Sequence, residues 1–130
     1  MFFTYSLLYT LAFVLLSPRF LWDVVTGGKY AAGFKQRLGF LPAFEKDQRS
    51  VVWLHCVSVG EANAARPLVD EFRHQFPTHR LIVSTTTRTG QNHARDIFKH
   101  SADSIFYFPF DWKFSVKRSL KHFEPNAVIL

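Results

Sequence analysis

Residues Val51 to Glu61 read VVWLHCVSVGE: six mostly apolar positions, a turn of small residues, then a carboxylate where a helix should open. An apolar run of this length is what a strand covered by helices on both faces of a parallel sheet requires. Downstream, EANAARPLVDEFRHQF sets Ala62, Ala65, Leu68, Val69, Phe72 and Phe76 at helical spacing. Pro67 lies inside that pattern. Its ring would clash with the carbonyl of Asn63 and remove a hydrogen bond, which predicts a kink or a restart.

The same cycle recurs toward the carboxyl terminus. LIVSTT from Leu81 reads as a second strand, TRTG offers Thr89 as an N-cap, and a short helix is expected from Gly90 to Lys99. SIFYF from Ser104 is a third strand. Asp111 is the next candidate cap, for a helix WKFSVKRSLKHF that keeps Phe114, Val116, Leu120 and Phe123 largely on one side. Pro125 ends that helix and NAVIL opens a fourth strand. Strands alternating with helices in this way are βαβ units, whose right-handed crossovers build a parallel sheet. The expected fold is α/β, with a Rossmann-like parallel sheet over residues 51–130. The last strand stops at Leu130, which reads as a domain cut short.

Working outward to the amino terminus, Met1 to Pro18 carries no charged side chain, and Phe2 to Leu16 is almost wholly Phe, Leu, Tyr, Val and Ala. Eighteen helical residues reach about 27 Å, just short of a hydrocarbon core near 30 Å, unless Phe20 to Val25 extends them. A cleaved signal peptide is the rival reading. It would need a basic leader and a small-residue cleavage site, whereas the first basic side chain is Arg19 and LLSPRF suits cleavage poorly. Residues 1–25 are therefore expected to form an uncleaved transmembrane or membrane-anchor helix. Arg19, Lys29, Lys35 and Arg37 follow it, which places the remainder on the cytoplasmic side. Residues 26–50 form a basic connector, GGKYAAGFKQRLGFLP at its heart, with apolar Tyr30, Phe34, Leu38, Phe40 and Leu41. Two readings of it stand. It could lie on the membrane with Lys35 and Arg37 facing headgroups, or it could pack on the domain.

Composition narrows the function classes. A chain of 130 residues that is 48% hydrophobic and 17% aromatic is far from the disordered signature and has enough apolar surface for a core. The net charge of +6 is spread along the chain, with Lys and Arg alternating with Asp and Glu, so no phosphate-tracking stripe forms and nucleic acid is not an expected partner. A basic protein beside an acidic membrane fits better. Cys56 is the single cysteine, which excludes an internal disulfide, and it reads as an inert core thiol. The histidines fit no zinc spacing and read as surface or packing residues; His55, inside the first strand, is the one expected to be buried and hydrogen-bonded.

Ligands of open α/β sheets bind beyond the carboxyl ends of the strands. Three loops are expected there: CVSVGE, TTTRTG and FPFD. Ser58 and Gly60 give an open turn, Thr85, Thr87 and Thr89 offer hydroxyls, Arg88 a cation, and Glu61 and Asp111 carboxylates. Glu61 has two readings. It can be a dipole partner, since an acid in the first helical turn contributes about 0.3–1 kcal/mol, or a general base that deprotonates an attacking hydroxyl. No GxGxxG and no Walker motif is present, so no nucleotide cofactor is expected. A flavodoxin-like cofactor domain is disfavoured on the same ground.

WLHCVSVGEANAARPL, VSTTTRTG, YFPFD and EPNAVIL, in this order and after an apolar amino-terminal segment, closely resemble the amino-terminal part of the 3-deoxy-D-manno-octulosonic acid (Kdo) transferases of lipopolysaccharide synthesis. The resemblance implies an inverting, metal-independent glycosyltransferase of the GT-B fold, whose amino-terminal domain receives a lipid A precursor and whose carboxyl-terminal domain holds CMP-Kdo. It puts Glu61 at the position of the general base. Ser58 and Gly60 would shape the turn beside it, Thr87, Thr89 and Gly90 would line the same cleft, and Arg37 is carried as a substrate-binding cation. It also implies residence at the inner membrane with the domain facing the cytoplasm. The acidic E-x-E-x-W-P element and donor domain of the family do not occur in this chain, which is therefore expected to be inactive by itself. The alternative function is a non-catalytic, membrane-tethered lipid-binding or remnant domain.

Overall fold

All four apolar runs become strands, and a helix fills each gap between them. The computed structural model describes residues 2–26 and 33–130; Lys29 and Tyr30 of the connector lie outside the described residues. In chain order the elements are α1 (Phe2–Val25), α2 (Phe34–Arg37), β1 (Val51–Cys56), α3 (Val59–Gln75), β2 (Arg80–Thr85), α4 (Arg88–Ile97), β3 (Ser104–Tyr107), α5 (Lys113–Phe123) and β4 (Ala127–Ile129). The strands form one parallel sheet in the order β3-β2-β1-β4, with Val51–Cys56 of β1 opposite Arg80–Thr85 of β2. The fold is Rossmann-like. After β3 the chain crosses back through α5 to the far side of β1, so the topological switch point lies between β1 and β4. The crevice outside the carboxyl ends of strands at such a point is where open α/β sheets take ligands.

Alternate side chains of β1 and β2 serve the two faces, as a pleated strand demands. One face buries Leu54, Cys56, Leu81 and Val83 under Ala62 and Val69 of α3, Ala94 of α4 and Phe98 at its carboxyl-terminal cap. The other buries Val51, Trp53, Ile82 and Phe106 under Phe123 of α5, with Leu41 and Phe44 of the connector packed alongside. Each large side chain so buried contributes about 1.5–3 kcal/mol. The described part of the connector is thus a strap on the domain, the second of its two readings. Phe44 meets Phe123 at 5.0 Å between ring centroids, and His122 Nε2 lies 2.8 Å from the Pro42 carbonyl. Ser84 pairs two ring nitrogens on this face: Trp53 Nε1 donates to Ser84 Oγ at 2.8 Å, and His55 Nδ1 lies 2.9 Å from the same oxygen.

Several boundaries differ from the sequence expectation, each for a physical reason. α3 runs unbroken through Pro67, which is exposed. Burial of Ala62 and Val69 and the clamp of Arg73 on the Ser101 and His79 carbonyls, both 2.6 Å, offset a proline cost of about 3 kcal/mol. The cap of α4 is Thr87 rather than Thr89: its hydroxyl accepts from the Gly90 N–H at 3.0 Å, and the helix starts at Arg88. Asp111 is not the cap of α5. Trp112 holds that position without a side-chain bond, and Asp111 instead accepts from the Tyr5 hydroxyl of α1.

α1 continues through Pro18 to Val25, a helix of 24 residues. At 1.5 Å per residue that is about 36 Å, longer than a hydrocarbon core. Its Phe2–Arg19 segment is long and apolar enough to cross a membrane. One side of the helix packs on the loop after β3: Tyr9 meets Trp112 edge-on at 5.4 Å, and Phe13 meets Trp112 at 5.0 Å and Phe110 at 5.9 Å.

Candidate functional site

The β1–α3 turn begins where the apolar run ends. Ser58 is the N-cap residue of α3 in extended conformation, yet its hydroxyl makes no cap bond. Glu61 instead ties the helix start to the end of the strand: its Oε2 accepts from the Val57 N–H at 2.7 Å, four residues back. The bond resembles the acidic half of a capping box, but it reaches the residue before the N-cap Ser58. This bond fixes the Glu61 carboxylate at the exposed helix start and occupies one oxygen; the other holds no hydrogen bond among the described residues. Gly60 follows in the first turn, and a Cβ there would have only Ser58 Oγ near it, at 3.9 Å. The space beside Glu61 is therefore open.

The β2–α4 loop is knitted to this turn. Thr86 N–H donates to the Val57 carbonyl at 3.3 Å, so Val57 joins both loops through its two backbone groups. Gly90 is the contact point. A Cβ on it would lie 2.8 Å from Thr87 Oγ1 and 3.5 Å from both the Ser58 Cα and the Val57 carbonyl oxygen. Only a residue without a side chain lets α4 start this close to the β1–α3 turn. Thr89 Oγ1 lies 3.4 Å from Thr87 Oγ1 on the exposed rim. The structure thus gathers Ser58, Gly60, Glu61, Thr87, Thr89 and Gly90 at the carboxyl end of β1 and β2. Arg88 has interactions of its own in the first turn of α4.

Arg37 sits behind this cluster and faces inward, in keeping with the second of the connector's two readings, packing on the domain. It is 6% exposed, donates through Nη2 to the Thr86 carbonyl, and lies over the rings of Tyr107 at 4.9 Å and Phe110 at 5.7 Å. Burial lowers its pKa, a shift the negative field of Tyr107 opposes. The guanidinium is drawn inward because one carbonyl and two aromatic faces together offer it more than an exposed position does. Asp111 is also withdrawn from the cluster, being engaged by α1.

Below the loops, burial lowers the His55 pKa, against the opposing pull of its hydrogen bond to Ser84 and the charge of Glu61. Burial pushes the Cys56 thiol up to about 11, and the Glu61 carboxylate adds to that shift, so this thiol is protonated and inert. Among the described residues no three His, Cys, Asp or Glu side chains gather as a metal site requires. Two polar contacts at this end escaped the sequence reading. His93 Nε2 lies 2.7 Å from Asn63 Oδ1, tying α4 to α3, and the fully buried Gln91 accepts from Thr85 Oγ1 at 2.6 Å. The spacing of Gln91, Ala94 and Phe98 is the signal that would have placed Gln91 on the inner face.

A family profile described as 3-deoxy-D-manno-octulosonic-acid transferase (kdotransferase) matches residues 32–130. The chain belongs to this Kdo transferase family. It is 32% identical over 118 residues to the 3-deoxy-D-manno-octulosonic acid transferase of Chlamydia trachomatis serovar D, covering 91% of the chain and 27% of that relative. The Haemophilus influenzae enzyme of the same name is 30% identical over 108 residues, 82% of the chain and 25% of the relative. A probable mitochondrial Kdo transferase of Arabidopsis thaliana is 27% identical over 112 residues, covering 84% and 24%. The chain spans about a quarter of the length of these relatives. No solved structure matches it.

Proposed function

We propose that this chain is the acceptor-binding domain of a Kdo transferase of GT-B architecture, acting at the inner membrane with the domain on the cytoplasmic side. The observation that carries the reading is the Glu61 carboxylate, pinned by the Val57 N–H with its other oxygen free among the described residues, beside the open Gly60 position. In the proposed reaction a hydroxyl of a lipid A precursor attacks the anomeric carbon of Kdo. The new bond forms from the acceptor oxygen, the bond from that carbon to the CMP phosphate oxygen breaks with its electron pair leaving on CMP, and the acceptor proton passes to Glu61. Attack opposite the departing CMP inverts the anomeric centre. Ser58, with its hydroxyl unspent on the helix, and Thr87 and Thr89 on the rim would orient the acceptor sugar, while Gly90 permits the approach of the two loops. Arg37 contributes by holding the Thr86 carbonyl, a positioning role.

CMP-Kdo would be supplied by a carboxyl-terminal domain joined to this one or by a second chain. Differential stabilisation of the transition state requires that donor half as well as the acceptor side. CMP release from CMP-Kdo in the presence of a lipid A precursor, measured on this domain joined to a donor-binding half, tests the reading. Glu61→Gln, which keeps the acceptor for the Val57 N–H, should lower turnover by about 10²–10⁴-fold. Undiminished turnover would remove Glu61 from the chemistry. Kdo transfer by the 130-residue chain unaided would contradict the need for a donor half, and lipid binding without transfer by the joined protein would favour the non-catalytic alternative.

A further inference from the structure

We infer that α1 is a working part of the candidate site: docked on Phe110, it holds the Arg37 guanidinium on the Thr86 carbonyl and so fixes the β2–α4 loop. Thr86 stands between the end of β2 and the cap of α4, and both of its backbone groups have distant partners. Its N–H donates to the Val57 carbonyl at 3.3 Å, and its own carbonyl accepts from Arg37 Nη2. A planar peptide joins that carbonyl to the nitrogen of Thr87. The guanidinium therefore sets the tilt of the peptide that leads into Thr87, whose hydroxyl accepts from the Gly90 N–H at 3.0 Å.

The guanidinium is held in turn by a ring shared between two helices. Arg37 lies over Phe110 at 5.7 Å, and the Phe110 N–H donates to the Arg37 carbonyl at 2.9 Å. Phe34, three residues earlier in α2, meets the same ring at 5.7 Å between centroids. Phe13 of α1 also meets it, edge-on at 5.9 Å. Trp112 closes the contact, 5.3 Å from Phe110, 5.0 Å from Phe13 and 5.4 Å from Tyr9, and its Nε1 donates to Thr10 Oγ1 at 3.3 Å. The Tyr5 hydroxyl, donating to Asp111, adds a polar latch.

A ring attracts a cation only while it presents its face. Phe110 belongs to a loop, and the rings packed around it fix its orientation; Phe13 and Trp112 among them are docking contacts of α1. Loss of Phe13 frees the Phe110 ring to turn away from Arg37. The buried guanidinium then keeps Tyr107, at 4.9 Å, as its remaining ring face, and its hold on Thr86 weakens. The two states of the coupling are the Thr86 carbonyl bonded and released, and the docking of α1 biases the equilibrium toward the bonded one. Its consequence for transfer rests on the function proposed above, in which Thr87 and Thr89 orient the acceptor. The coupling itself does not.

Amide hydrogen exchange on the whole chain in a mild detergent reads the loop at the Thr86 and Gly90 N–H groups. Phe13→Ala should speed exchange at both by about tenfold, the scale of one lost cation–π contact, and leave the β1 amides unchanged. Phe13→Tyr, which keeps the ring, should exchange at the native rate. In an Arg37→Gln chain, whose loop is already released, Phe13→Ala should add nothing further. Phe110→Leu supplies the same background if circular dichroism shows Arg37→Gln unfolded. Unchanged exchange in Phe13→Ala, or an undiminished effect of Phe13→Ala in those backgrounds, overturns the inference. On the domain joined to its donor half, Phe13→Ala should raise the acceptor KM severalfold and leave the CMP-Kdo KM alone. A rise in both constants would overturn the part of the coupling in acceptor binding. Full turnover in Glu61→Gln would instead remove the proposed chemistry and leave the exchange result standing.

Discussion

The loops after β1 and β2 leave the same end of the sheet as the loop after β3, but the chain uses them differently. The first two are made of small and hydroxyl residues, and they are stitched together at Val57 and Gly90. The third, Phe108 to Trp112, is aromatic and gives its side chains to α1 and to Arg37. Small residues let two backbones approach and leave room for a ligand; large rings bury surface and hold another element. One pair of loops therefore builds the candidate site, and the third ties it to α1. Arg37 links the two regions, reaching the Thr86 carbonyl while stacked on Tyr107 and Phe110.

The largest effect expected from breaking this division comes at its foundation. Gly33 has φ +69° and approaches Tyr107 so closely that a Cβ would lie 1.9 Å from Cδ2. Gly33→Ala should cost about 3 kcal/mol or more in urea unfolding, because strain and overpacking add. Gly90→Ala acts on the junction of the first two loops and should cost about 1–3 kcal/mol, with turnover reduced as well, since the added methyl displaces Thr87 and separates α4 from Ser58. Thr87→Ala removes only the cap and should cost about 1 kcal/mol, while Thr89→Ala, on the exposed rim, should stay within about 0.5 kcal/mol. Equal effects at the two threonines would undo the cap assignment.

The smallest effect is one of pH. The folded protein holds the Cys56 proton to about pH 11, whereas the unfolded chain releases it near the ordinary value of 9.0. Between these values the unfolded state binds fewer protons, so stability falls as pH rises from 9 toward 11. Denaturant midpoints across that range should fall for the native chain and stay flatter for Cys56→Ala.

The sheet was legible because buried parallel strands need unbroken apolar runs, and VVWLHC and LIVST supply them. The location of Glu61 was legible too, since the residue after a strand and a small-residue turn can only open the next helix. Long-range contacts decided the rest. Thr87 and Thr89 are chemically equal caps, and what selects Thr87 is the approach of Gly90 to Ser58, some thirty residues away in sequence. Asp111 has the composition of a cap, yet Tyr5, 106 residues earlier, takes its carboxylate. Arg37 reads as an outward cation in any amphipathic pattern, and no local spacing reveals the ring faces and carbonyl that draw it in.

The division between the loops is tested most directly by comparing Glu61→Gln with Asp111→Asn in one assay, the domain joined to its donor half and the lipid acceptor dispersed in detergent so that membrane docking is not limiting. The two carboxylates lie at the same end of the sheet, one on each side of the division. The expected result is a turnover loss of about 10²–10⁴-fold for Glu61→Gln and none for Asp111→Asn. Full turnover in Glu61→Gln, or a comparable loss in Asp111→Asn, would contradict it.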